Sequence, residues 1–398
     1  MGEGERDGGG DGDDPGAPDL DPASADLDAL EAASADLDAL DVASADLDAP
    51  LAAVVAKGRA DAAIRGIRAE GVYDESRRVV ERDGGSVEVP VSAAPERTDV
   101  RDVVRQHDPE PRVTGLADLL RERGWTDAEI DAAPSSWAVV GSVVLVAFGD
   151  CPDRAAVGEA LLELHGNADT VVARGGIAGA HREPDVEVVA GEGDTETVHV
   201  EHGTSYALDL DAVMFSPGNK AERARMGAVI AGEAPPAVET GRDGPEHVVD
   251  MFAGVGYFAL PMARAGARVT AVERNPAAFR YLLENASLND VTDRLEPYRG
   301  DCRDVVAGLA AEGPVADRVV MGYYDAPDYI DAALPALRPG GVVHCHAAVP
   351  EPELWDRPVG DLEAAADAAG RGLEVLDRRV VKTHSEGVDH VVVDARVA

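Results

Sequence analysis

An α/β fold built on a mostly parallel sheet is predicted by three features lying between His247 and His346. First, apolar Val248 and Val249 lead into Asp250, a tight glycine turn follows at Gly254 and Gly256, and a helical pattern starts at Phe258. Strand, glycine loop and helix in that order bring bare backbone N–H groups and a helix N-terminus against a ligand. Second, the run from Arg268 reads as another strand ending in an acid, Glu273, nineteen residues beyond Gly254. A carboxylate at that spacing sits at the tip of the neighbouring strand, where it accepts both ribose hydroxyls of an adenosine. Third, strand and helix keep alternating. Asn275-Pro276 opens a helix through Leu288, with Pro276 where its missing N–H costs nothing. Gly300-Asp301-Cys302-Arg303 ends a third strand, Asp317–Tyr324 holds the fourth and its exit loop, and Gly340–Glu351 is the fifth. Such alternation gives a parallel sheet with its ligand at the carboxyl ends of the strands.

Two cofactor readings compete. A dinucleotide fold usually shows G-x-G-x-x-G, and this loop, G-V-G-Y-F-A, lacks the third glycine. Asp250, the glycine loop, Glu273 and Gly300-Asp301 together resemble instead a class I methyltransferase fold (Rossmann-like) holding S-adenosylmethionine, and NAD is the weaker reading. Asp301 is then placed to bind the adenine amino group, with Phe252, Asn275 and Cys302 beside these residues as further cofactor-binding candidates. Asp250 either binds the amino-acid end of the cofactor or caps the glycine turn. A cofactor-free sheet would need three separately placed acids to be coincidence.

Composition bounds the rest. With 398 residues the chain is long enough for two or three domains. Its formal net charge is −40, and lysine occurs only at Lys57, Lys220 and Lys382. Such a chain repels itself at low salt, and molar salt screens that repulsion within a few ångströms. The preferred reading is a cytoplasmic protein of a salt-accumulating halophile, in which acidity is a solvation device. Lack of a basic domain does not exclude nucleic acid, because phosphate attraction also weakens at high salt. Cys151, Cys302 and Cys345 have no paired spacing, so neither a zinc site nor a disulfide framework is expected. No apolar run approaches 18 residues and no basic-then-hydrophobic leader is seen, so neither a membrane span nor a secretion signal is expected.

Four regions follow. Residues 1–50 contain a repeated decapeptide, ASADLDALEA from Ala23, ASADLDALDV from Ala33 and ASADLDAP from Ala43. Two leucines at most against several acids bury too little to order a backbone, so a disordered acidic tail is expected, with a short docking helix as the alternative. Residues 51–112 read as a small α+β module, strand, helix, strand, a turn at Asp83-Gly84-Gly85, and strand, ending near Val91 and followed by a polar connector. Residues 113–240 open with a helical stretch, Thr114 its possible N-cap, and continue from Ser136 as a second α+β module of strands around the helix at RAAVGEALLELHG. This module ends in FSPGNKAERARMGAVIA, where Ser216 or Asn219 is a candidate cap. Residues 241–398 form the sheet domain, closed by a helix at Asp361–Ala369 and two strands around Ser385-Glu386-Gly387, an antiparallel hairpin edge.

In order, GSVVLVAF, GGIAGAHR, VVAGEGDTETVHVEHG, FSPGNKAERARM, DMFAGVGYF, AVERNP, the Gly300-Asp301 pair, DRVVMGY and VKTH with HVVVD resemble the archaeal and eukaryotic family of tRNA position-37 modification enzymes. The likeness covers residues from about 51 to 398 and excludes the tail. It implies S-adenosylmethionine as donor, no metal, and tRNA as partner, bound at the anticodon loop. The family includes guanosine-37 N1-methyltransferases and wybutosine-pathway aminocarboxypropyltransferases. The methyltransferases carry Asn-Leu-Pro or Asn-Pro-Pro at the fourth strand end, where this chain has Gly322, Tyr323 and Tyr324 after Met321. Glycine offers no amide to guanine and opens room for a tricyclic base. That, with GYF and the His344-Cys345-His346 line, resembles the aminocarboxypropyltransferase branch acting on 4-demethylwyosine, with tRNA(Phe) as substrate. Nothing visible in the sequence demands an oligomer, so a monomer is expected. Methyl transfer to guanosine-37 or a wyosine intermediate is the alternative, and a non-catalytic tRNA-binding protein a further one.

By the same resemblance Glu222 is the candidate general base, and Arg182 and Arg223 stabilise charge near the base or phosphate. Ser216, Met321, Gly322, Tyr323 and Tyr324 are the candidate base pocket. Each has a plain reading beside it. Glu222 and Arg223 also fit an ordinary helix start with surface ion pairs. His344 and His346 point to one face of a strand, as packing histidines do. Tyr323 and Tyr324 either stack on a flipped base or close the pocket edge.

Overall fold

A computed structural model describes residues 49–398 apart from 83, 107, 108, 113, 114, 180 and 239–243. The acidic repeats and Thr114 lie outside the described residues. The chain divides into two units, one up to residue 114 and one from Gly115 to Ala398.

In the first unit β1 (Leu51–Ala56) runs into α1 (Ala60–Glu70), which ends on Gly71 with φ 75°. Strands β2 (Val80–Arg82) and β3 (Ser86–Pro90) follow, and the expected polar connector contains one more, β4 (Asp102–Arg105). The antiparallel sheet has the order β2-β3-β1-β4, and α1 lays Ala63 and Ile67 on Val55, Val87 and Val89. Arg77, 7% exposed, ties the sheet together: it donates to Asp74 and Gln106 and to the carbonyls of Leu51 and Val91.

The second unit begins with two short helices, α2 (Leu116–Glu122) and α3 (Asp127–Asp131). Thr126 and Glu129 form a capping box at the start of α3. Four strands, β5 (Trp137–Val140), β6 (Val143–Val146), β7 (Thr170–Ala178) and β8 (Glu183–Gly191), form one sheet in chain order, with α4 (Arg154–Leu164) bridging β6 to its parallel neighbour β7. A hairpin of β9 (Glu196–Glu201) and β10 (Thr204–Asp209) leads through Phe215 to α5 (Lys220–Ile230). Neither Ser216 nor Asn219 caps α5 with its side chain. Ser216 instead accepts from Lys382, and the Asn219 carbonyl oxygen is buried without a partner.

The remaining strands make a seven-stranded sheet of order β13-β12-β11-β14-β15-β17-β16. Its members are β11 (His247–Asp250), β12 (Arg268–Glu273), β13 (Leu295–Arg299), β14 (Ala316–Met321), β15 (Leu337–Pro350), β16 (Leu373–Ser385) and β17 (Val388–Val397). The first five in spatial order are parallel, and β17 and β16 are antiparallel additions with β16 at the edge. Helices α6 (Ala259–Arg264), α7 (Pro276–Leu288), α8 (Cys302–Leu309) and α9 (Ile330–Ala333) intervene, and α10 (Asp356–Ala368) begins five residues before the expected Asp361. Alternation sorts the valines: Val248 and Val320 face one core with Phe258 and Leu282, while Val249 and Val319 face the other with Ile330 and Leu334.

Helix α7 also completes the hairpin. The Asn285 amide accepts from Ala207 N–H and donates to its carbonyl, and Asn289 treats Ser205 in the same way. Residues four apart on a helix rise about 6 Å, nearly the spacing of residues two apart on a strand, so two carboxamides stand in for a neighbouring strand.

Candidate functional site

The carboxyl ends of β11, β12, β13 and β14 converge on a cavity of about 280 Å³. Its floor is the glycine turn. Gly254 has φ 57° and Gly256 φ 105°, and a Cβ on either would lie 2.3 Å from the Tyr257 ring or 2.6 Å from Leu260. Glu273 stitches the turn to its own strand: one carboxylate oxygen accepts from Gly254 N–H at 2.8 Å, the other from Asn275 N–H at 2.6 Å. Burial raises its pKa against these hydrogen bonds. Asn275 caps α7 through Ala277 N–H and donates to the His181 carbonyl, tying the β7–β8 loop to the site.

Asp301 caps α8 and is clasped by Arg303 at 2.8 and 3.0 Å, which holds its pKa down at about 2. It therefore stays an anion suited to accept from an amino group. Burial pushes the neighbouring Cys302 thiol up to about 11, so it is no nucleophile at neutral pH. Phe252 stacks on Tyr323 at 5.1 Å, and Tyr329 meets Phe252 edge-on at 5.1 Å. The Arg182 guanidinium lies 5.1 Å from the Tyr323 ring centre and 5.6 Å from that of Tyr324. Arg182 has φ 54°, unusual for a side-chain-bearing residue, and its Nε is buried without a partner.

Asp250 is wholly buried. One oxygen accepts from Phe252 N–H, capping the turn, and the other has no partner. Burial above all, then the Glu273 charge, raises its pKa to about 7. An aspartate with a raised folded pKa contributes its full stability below the unfolded value, near about 4, and loses it as pH rises towards the folded one. Asp250→Asn in the cofactor-free protein is therefore expected to melt above the parent near pH 7, the gap closing as pH falls to about 4. Thermal scans across that range in multimolar KCl decide it; a gap independent of pH refutes the assignment.

Of the residues singled out from sequence, Arg182, Ser216, Phe252, Gly254, Glu273, Asn275, Asp301, Cys302, Gly322, Tyr323 and Tyr324 line this cavity. Asp250, Gly256 and Met321 lie behind the lining, and Glu222 and Arg223 are outside it. Arg223 grips Glu201 through two 2.8 Å bonds and donates to the Ser216 carbonyl. Although burial would raise Glu201, bonds from His199 and Arg223 lower it to about 2. Both oxygens of Glu222 hold Arg379, one at 2.9 Å. Arg379 also holds Asp394, which lies 3.2 Å from Arg225 as well and accepts from His344; that histidine in turn meets the fully buried Arg318 paired with Glu246. Since Arg318 only donates, His344 accepts at Nε2 and donates Nδ1–H to Asp394. Sequence reasoning missed His181, Tyr257 and Tyr329 in the lining; His181 stood beside Arg182 in GAHR, and Tyr329 had no signal beyond its aromatic ring. Among the described residues no group of three His, Cys, Asp or Glu can hold a metal, and no helix is long and apolar enough to cross a membrane.

The strand order, the glycine turn and the acids at consecutive strand tips define a class I S-adenosylmethionine-dependent transferase. The orphaned Asn219 side-chain oxygen and Arg182 Nε, on residues that line the cavity, fit a donor that carries both ammonium and carboxylate groups. Residues 197–376 match the TRM5/TYW2 methyltransferase domain, and residues 116–195 match the TYW2 N-terminal domain. A Pyrococcus horikoshii protein named tRNA(Phe) (4-demethylwyosine(37)-C(7)) aminocarboxypropyltransferase is 36% identical over 293 residues, 72% of this chain and 99% of that one. Among solved structures, Trm5b from Pyrococcus abyssi superposes with a TM-score of 0.64 at 28% identity, covering 88% of this chain and 99% of that one. The P. horikoshii TYW2 complex with MeSAdo gives 0.57 at 32% identity, covering 71% and 97%. This chain belongs to the TRM5/TYW2 family of tRNA-modifying enzymes.

Proposed function

We propose that this protein moves the 3-amino-3-carboxypropyl group of S-adenosylmethionine to C7 of 4-demethylwyosine at position 37 of tRNA(Phe). The observation that carries it is the wall at Gly322-Tyr323-Tyr324, where two aromatic rings and no side-chain amide face the cavity. The likeness to the P. horikoshii enzyme over nearly its whole length supports the same branch. Bound S-adenosylmethionine supplies an activated γ-carbon: C7 attacks it, the carbon–sulfur bond electrons leave with methylthioadenosine, and the C7 proton is lost.

The chain's residues do the rest. Glu273 and Asp301 bind the adenosine, Asp250 caps the glycine turn from behind the lining, and Arg182 with Tyr323 and Tyr324 frames the base. Glu222 accepts the proton once Arg379 yields one of its oxygens. That both oxygens are held favours a second reading, in which Glu222 is a buried strut and the proton leaves to water. Residues 51–112 serve as a tRNA-binding module, and residues 113–240 lend Arg182 and Ser216 to the site. The enzyme acts as a monomer in a salt-rich cytoplasm, a reading supported by its net charge of −40.

The test uses multimolar KCl, tRNA from a strain lacking the gene, and S-adenosylmethionine labelled in its methyl or carboxyl carbon. Carboxyl label at position 37 with methylthioadenosine released is expected. Methyl label alone, with S-adenosylhomocysteine released, makes this a methyltransferase, and transfer of neither label leaves a binding protein.

A further inference from the structure

Behind the Gly322-Tyr323-Tyr324 wall lies a buried stack of rings that the proposed chemistry does not use. A Cβ on Gly322 would meet Phe258 Cε2 at 2.5 Å and Cδ2 at 2.9 Å. Gly322 lacks a positive φ, so the constraint is contact with that ring and not backbone conformation. Phe258, 3% exposed, meets the His346 ring edge-on at 5.2 Å. His346 Nδ1 lies 3.0 Å from His390 Nε2, joining β15 to β17. The His390 ring is edge-on to Tyr324 at 4.8 Å, and Tyr324 returns the line to the wall two residues from where it began.

Both imidazoles are 1% exposed. Burial, aided by Arg379 for His346 and by His346 for His390, lowers them to about 3 and about 2, so both stay neutral. One donates to the other, which leaves His346 Nε2 and His390 Nδ1 without partners. Two unsatisfied buried nitrogens cost more than apolar side chains of the same size would. Packing alone does not account for the pair.

We propose that Phe258, His346 and His390 are positioning residues that brace Tyr324 and set the depth of the base-binding end of the cavity. The proposal rests on the reading of this end as the slot for an enlarged purine. Phe258 fixes the floor beneath Gly322, and the histidine pair fixes the far wall through Tyr324. None of the three lines the cavity, so they act on substrate only through Gly322 and Tyr324.

The test takes the full chain, tRNA bearing the tricyclic base, and S-adenosylmethionine. Gly322→Ala is expected to raise KM for tRNA about tenfold, with kcat within about threefold of the parent and the dissociation constant for S-adenosylmethionine unchanged. Adding Phe258→Leu, which removes the ring atoms that the new methyl meets, is expected to bring KM back to within about threefold of the parent. His390→Leu should raise KM about fivefold, and His390→Gln, which keeps a hydrogen bond to His346, should recover most of that loss. Unchanged KM in Gly322→Ala overturns the proposal, as does a double variant no better than the single. Parallel loss of kcat and S-adenosylmethionine affinity would mark general damage and overturn it too. If Gly322→Ala does not fold, the His390 variants decide. KM is read for whichever group moves, so methyl transfer by the parent refutes the proposed function while compensation still decides the brace.

Discussion

Glu273→Ala is expected to lose at least about 100-fold in affinity for S-adenosylmethionine, roughly 2.7 kcal/mol, in a calorimetric titration in multimolar KCl. Two effects add. In the proposed reading the carboxylate accepts from the ribose hydroxyls, and hydrogen bonds to a charged acceptor are worth about 1.5–3 kcal/mol each. It also holds Gly254 N–H and Asn275 N–H, so its loss frees the glycine turn and the start of the following helix at once. Glu273→Gln keeps one carbonyl acceptor and should fall between parent and alanine. Normal binding by Glu273→Ala would remove this residue from the site, and with it the assignment of the cavity to the adenosine.

Arg379→Met should lower the stability of the second unit by about 3–5 kcal/mol, since it removes one member of a buried ion cluster and strands the others. Arg379 contacts Glu222 and Asp394, which are 4% and 0% exposed. Arg225 remains 3.2 Å from Asp394 and covers part of that charge, but nothing replaces the paired bonds to Glu222. High salt does not rescue the loss, because screening reaches buried charges weakly. Urea unfolding in KCl measures it; a loss below about 1 kcal/mol would mean that these charges are solvated like a surface pair. Arg379→Met with Glu222→Gln should lose less than the sum of the two single changes.

Local patterns made much of this molecule legible. Asn275-Pro276 announces its helix through one capping side chain and one fixed φ, and the helix spans Pro276–Leu288 as read. Valine runs gave the central strands because both faces of β11 and β14 are buried. Where the reading fell short, the determinant was distant or weak. Strand β4 hides in a polar connector because only Val103 and Val104 mark it, and it exists by pairing with β1 about fifty residues earlier. Ser216 and Asn219 have the composition of caps, yet Lys382 takes Ser216 from 166 positions away. Similarly, Glu222 looks like an exposed helix start until Arg379, 157 positions on, closes over it. Sequence spacing locates a strand tip well; it does not reveal which cation a fold will bring to a carboxylate.

The two carboxamides that finish the β9–β10 hairpin have a consequence for inheritance. Asn285 lies in the helix after the second strand of the large sheet and Asn289 caps its C-terminus, and the backbone they pair with belongs to the segment before that sheet begins. Leucine at either place would leave a donor and an acceptor of β10 unanswered, and aspartate would answer only the donor. Neither half of the unit is therefore free to drift alone. A chimera that exchanges the segment ahead of residue 240 between relatives needs both asparagines in the part that receives it, or it accepts a hairpin with a bare edge.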